Sequence, residues 1–66
     1  MGGLLTAEDC DVILESLNYA LKSIRDTGID PHGTYPSYEF KQSRLAQVER
    51  VMQRVRQLKK QMEEDK

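Results

Sequence analysis

Between Ala7 and Thr27 apolar residues recur at helical spacing: Cys10, Ile13, Leu14, Leu17, Ala20, Leu21 and Ile24. This pattern predicts an amphipathic helix whose apolar stripe is broader than a two-residue coiled-coil seam. Thr6 suits the N-cap, Glu8 and Asp9 put negative charge in the first turn, and Thr6 with Asp9 spells a short capping box. Gly28 suits a left-handed C′ position, with Ile29 folding back on Ile24 as in a Schellman motif. The segment 28–36 holds two glycines and two prolines and reads as a loop. It is long for a helix–helix connection, where about 2–8 residues is typical. A second helix is predicted over about 37–63, capped by Ser37, with a stripe of Tyr38, Leu45, Val48, Val51, Met52, Val55, Leu58 and Met62. Phe40 borders that stripe.

The expected fold is therefore all-α: residues 1–66 form one antiparallel two-helix hairpin, with helices at about 7–27 and 37–63. Sixty-six residues bury too little surface for a comfortable core, and small domains compensate with disulfides, a metal or oligomerisation. Cys10 has no partner for a disulfide, and His32 is the only histidine, so ligand count argues against a structural zinc. Homo-oligomerisation into a helical bundle remains, with a two-fold four-helix bundle as the simplest closed form. The expected interface draws on Ile13, Leu17, Leu45, Val48, Met52 and Val55. Tyr19, with Val12, offers a second apolar face on the far side of the first helix.

Charge changes the picture in its distribution more than in its total of −1. Residues 1–36 carry six acidic groups against Lys22 and Arg25, while residues 37–66 carry eight basic groups against five acidic ones. Antiparallel packing brings Glu8, Asp9, Asp11 and Glu15 alongside Arg54, Arg56, Lys59 and Lys60, so the split sets orientation. Exposed pairs of this kind contribute at most about 1 kcal/mol each. The second helix spreads Arg50, Arg54, Arg56, Lys59 and Lys60 around its circumference, which with the negative total counts against a dedicated nucleic-acid face.

The candidate chemistry gathers at the loop end. Lys41 and Arg44 continue the apolar stripe of the second helix, where a plain core would carry leucines. With Arg25, Tyr35 and Tyr38 they could hold a phosphorylated nucleotide between subunits, the aromatics stacking on a base and the helix N-terminus binding the anion. The plainer reading has Lys41 and Arg44 pairing with Asp26, Asp30 or Glu39 to tie the loop down. His32 lacks a second metal ligand and reads as a loop residue. Cys10, ringed by Glu8, Asp9 and Asp11, lacks the electropositive setting of a nucleophile. No nucleophile–base pair or carboxylate cluster can be assembled, so the expectation is no enzyme, no cofactor and no metal. Met1-Gly2-Gly3-Leu4-Leu5-Thr6 formally fits the myristoylation pattern, a short one that arises often by chance.

No apolar run approaches the roughly 20 residues that span a bilayer. That and the single thiol point to a reducing, cytoplasmic setting and away from a membrane. In layout the chain resembles small plasmid-encoded RNA-binding hairpins that dimerise into four-helix bundles. It also resembles small helical phage oligomers that sequester nucleotide immune signals in pockets between subunits. No sequence motif is shared with either. The function expected first is a non-enzymatic oligomeric module acting through protein contacts as an adaptor, inhibitor or regulator. A binder of a phosphorylated small molecule, of phage anti-defence type, is the second expectation, and an RNA-binding hairpin the third.

Overall fold

The structure, a computed structural model, describes residues 5–64, so Gly2-Gly3 and most of the myristoylation pattern lie outside the described residues. Helix α1 runs Ala7–Asp26 and α2 runs Tyr38–Glu64, with no strand among the described residues. At 20 and 27 residues, they are about 30 and 40 Å long at 1.5 Å per residue. The hairpin is antiparallel: Lys59 Nζ reaches Asp11 Oδ1 at 2.6 Å near the chain ends, and Arg25 stands 4.0 Å from Glu49 nearer the loop. The charge split read from sequence is realised by the first of these pairs.

The start of α1 forms as its sequence dictates. Asp9 N–H donates to Thr6 Oγ1 and Thr6 N–H donates to Asp9 Oδ2, both at 3.1 Å, closing a full capping box. Ser37 caps α2, its Oγ accepting from Phe40 N–H at 3.2 Å. The end of α1 differs from the expectation. Thr27 is extended, at φ −89° and ψ 125°, and Gly28 lies outside the left-handed region, so no Schellman motif forms. Thr27 instead folds its own donors back: its N–H and its Oγ1 both reach Ser23 O, at 3.1 and 2.7 Å. Ile29 stays exposed.

The carbonyls left open at that end are taken by α2. Lys41 Nζ donates to Thr27 O at 2.6 Å and to Arg25 O at 3.2 Å. A cation at a helix C-terminus is favoured by the dipole, and here it comes from the neighbouring helix. The connection is itself organised by Asp30. Its N–H donates to Tyr35 O, its carbonyl accepts from Gly33 N–H, and its carboxylate accepts from His32 N–H. Asp30-Pro31-His32-Gly33 is the residue order that a type I turn favours. The turn delivers Tyr35 into the core beside Leu21, Ile24, Val48 and Met52. Its ring also lies 6.2 Å from that of Phe40, tilted by 47°.

The core stripes are Cys10, Leu14, Leu17, Leu21 and Ile24 on α1, and Leu45, Val48, Met52 and Val55 on α2. Among the described residues only Cys10, Leu21, Ile24, Tyr35, Val48 and Met52 are buried; the other residues of the two stripes are half-covered. The body measures 49 × 19 × 16 Å, with a radius of gyration of 15.1 Å. A compact chain of this length has a radius of about 11 Å.

The two loop glycines give a direct test of this account. A Cβ on Gly28 would meet nothing within 4 Å, whereas one on Gly33 would stand 3.0 Å from Asp30 Cβ. Gly28→Ala should therefore stabilise the fold by about 0.5 kcal/mol by restricting the unfolded chain. Gly33→Ala should destabilise it by about 1 kcal/mol. Urea denaturation of both variants at one protein concentration measures this, and a large loss for Gly28→Ala would contradict the extended C-cap.

Candidate functional site

The five residues expected to form a loop-end ligand site are placed in three different settings. Lys41 has its ammonium on the carbonyls of α1, an internal use that leaves little of its charge for a ligand. Tyr35 has its ring in the core, where no base can stack on both faces. Tyr38, taken from the sequence as part of the core stripe, is 65% exposed, because Tyr35 fills the space under the loop. Arg44 Nη1 donates to Gln47 Oε1 at 2.8 Å on its own helix. Arg25 faces Glu49 on the opposite flank of the hairpin. The tie-down expected from Lys41 is present, made through main-chain carbonyls and not through Asp26, Asp30 or Glu39.

The residues expected at an oligomer interface also divide. Val48 and Met52 are buried within one hairpin, so a second copy gains little at those two positions. Ile13, Leu17, Leu45 and Val55 are only half-covered and keep apolar surface available. Tyr19 is 70% exposed and Val12 63% exposed on the back of α1.

A feature that single-helix reading missed is the difference between the two flat sides of the hairpin. One side carries an open groove of about 360 Å³ lined by Asn18, Arg25, Glu49, Gln53 and Arg56, with Leu21 and Met52 at its floor. The stripe Asp11, Glu15, Asn18, Lys22, Arg25 continues that side along α1 at spacings of four and three residues. At about 100° per residue, Ile13 and Ala20 fall on the other flank of α1, with Ser16 and Ser23 just outside them. Val51 and Leu58 take the matching flank of α2, beside Val55 and Met62. Arg44 is the one charge in that inner row among the described residues. The signal was present in the sequence, but it needs the antiparallel pairing to show which flanks share a side.

Two lysines stand on the seam of α2, Lys41 at one end and Lys59 at the other. The hydrogen bond to Asp11 and that carboxylate's charge hold the Lys59 ammonium above lysine's ordinary 10.5, with Glu63 and Cys10 adding smaller pushes and partial burial opposing them. A value raised in the folded state stabilises the fold at pH below the ordinary value, and the contribution disappears as pH climbs through the raised one. Among the described residues no group of three His, Cys, Asp or Glu side chains gathers to hold a metal ion. None of the described helices is long and apolar enough to cross a membrane. Comparison with protein-family models, curated proteins and solved structures gives no match to this chain.

Both lysines are testable. Lys41→Met, which keeps the stem and removes the donor, should lower stability by about 1–2 kcal/mol in chemical denaturation. An unchanged midpoint would mean that the carbonyl contacts contribute nothing. For Lys59, the melting-temperature gap between the native chain and Asp11→Asn should hold steady from about pH 7 to pH 9 and close above lysine's ordinary range. A gap that widens at high pH would show the sign to be wrong.

Proposed function

We propose that the chain is a non-enzymatic helical module that works through protein contacts, as an adaptor, inhibitor or regulator, and that its working unit is a homodimer closing a four-helix bundle. One observation carries this reading: the hairpin is lopsided, with one flat side charged and the other apolar and half-covered. The exposed surface supports it. The chain presents 5312 Å², whereas a compact monomer of 7.6 kDa presents about 4,300 Å². The excess is comparable with the roughly 800 Å² that each partner buries in a standard interface. A contiguous apolar side of this kind marks an interaction surface. The buried lone thiol of Cys10 suits a reducing cytoplasm.

The nucleotide-binding reading draws less support, because Lys41 and Tyr35, two of its five residues, are engaged inside the hairpin. RNA binding would need a basic face. The charged side instead mixes Arg25 and Arg56 with Glu49 in one groove.

Sedimentation equilibrium over a dilution series tests the reading. The expected mass is twice 7.6 kDa, with helical circular dichroism falling as the dimer dissociates. A hairpin that stays fully helical and monomeric at all concentrations would overturn it.

A further inference from the structure

The buried residues of the hairpin fall in two separate places. Leu21, Ile24, Tyr35, Val48 and Met52 form one cluster toward the loop end. Cys10 is wholly enclosed and stands outside that cluster. It lies eleven residues before Leu21 on α1, or about 16 Å along the helix at 1.5 Å per residue. Between them Leu14 and Leu17 are only half-covered.

The two ends are also held by different means. At the loop end the chain connection, the Asp30 turn, the Tyr35 ring and two Lys41 hydrogen bonds to α1 carbonyls act together. Near the chain ends, the one polar contact between the helices among the described residues is Lys59 Nζ to Asp11 Oδ1, at 2.6 Å. The Lys59 side chain is 29% exposed and that of Asp11 58% exposed, so water and salt reach the pair. Cys10 precedes Asp11 in the chain and adds its own push to the Lys59 ammonium, which places the thiol close to this contact.

We propose that the hairpin opens from its chain ends as a unit of its own, hinged on the loop-end cluster, with the Asp11–Lys59 contact as the latch over Cys10. Segments with few buried contacts open locally while the rest of a protein stays folded. The arms beyond Leu17 and Val55, away from the loop, hold one buried side chain among the described residues, whereas the loop-end half holds five. The connection keeps the helices together at the loop end, and the arms are free to part at the other. Parting separates Cys10, Leu14 and Leu17 from the facing row of α2 and leaves Tyr35 and the Lys41 cap in place. The latch thus governs access to the inner apolar surface of the arms, and salt weakens it because the pair is partly exposed. The device belongs to the single chain and does not rest on the dimer.

Cys10, the single thiol of the chain, is the reporter. Its rate of alkylation by excess N-ethylmaleimide in the folded full chain, divided by the rate for the same variant in concentrated urea, reads how often the arms are open. Asp11→Asn and Lys59→Gln should each raise this normalised rate about two- to fivefold, the range that an exposed pair supplies. The two substitutions change the charge beside the thiol in opposite directions. An effect on thiol ionisation alone would speed one and slow the other, and that result would overturn the latch. Gly33→Ala weakens the turn at the loop end, so it should lower the global denaturation midpoint and leave the normalised rate unchanged. A rate that rises with Gly33→Ala by the same factor as the global unfolding equilibrium would mean that Cys10 is reached only by whole-chain unfolding. That outcome would overturn the separate opening unit.

Discussion

Two lysines on the seam of α2 set the geometry on which everything else in this molecule depends. Lys41 and Lys59 occupy positions where the heptad calls for apolar residues, and each reaches across to α1. One grips the carbonyls at its C-terminal end and the other grips Asp11 in its first half. Between them lie Leu45, Val48, Met52 and Val55, which pack by size and shape without fixing register strongly. Shifting α2 by one turn would break both lysine contacts together and leave three helix-end acceptors or charges unpartnered. A hairpin with so short a core is pinned by its ends. That is why cations are tolerated on the stripe: their stems cover apolar surface while their heads reach polar groups.

The loop contributes to the same closure. A nine-residue connection would ordinarily add conformational freedom at the end of a small core. Here Asp30 uses its N–H, its carbonyl and its carboxylate to hold a turn, and the turn places Tyr35 over Leu21 and Ile24. Among the described residues Tyr35 is thus the one core residue supplied by neither helix. Its burial engages one of the five residues expected at a ligand site between subunits, while Tyr38, another of them, stays exposed at the surface.

Much of this was legible in the sequence. The helix boundaries hold within a residue or so, because capping boxes and Ser caps are local devices with local signatures. The antiparallel sense followed from two long helices joined by a loop of this size, and it accounts for the acidic and basic halves. What sequence could not reveal depends on contacts between elements. Gly28 carries the residue type of a left-handed cap, yet a lysine fourteen residues past Thr27 serves α1 from outside, so the local signal was overridden. Periodicity places Tyr38 on the stripe and leaves Tyr35 in the loop, and only the path of the turn shows that Tyr35 is the one that enters the core. The same holds for the two-sidedness of the hairpin, because each helix alone shows merely a broad stripe.

That two-sidedness is the physical ground for reading the chain as a module that binds. The buried side chains among the described residues are apolar or aromatic, and the charged groups stand at the surface. The polar groups line an open groove in which Arg25 and Glu49 stand at solvent-screened distance. The apolar residues that stay partly uncovered lie on the opposite side. Covering Ile13, Ala20, Val51 and Leu58 would remove apolar area on the scale that stabilises small helical folds, at roughly 25 cal/mol per Å². It would also seal the half-covered edges of Leu17, Val55 and Met62. The polar groove lies on the other side and would keep its solvent.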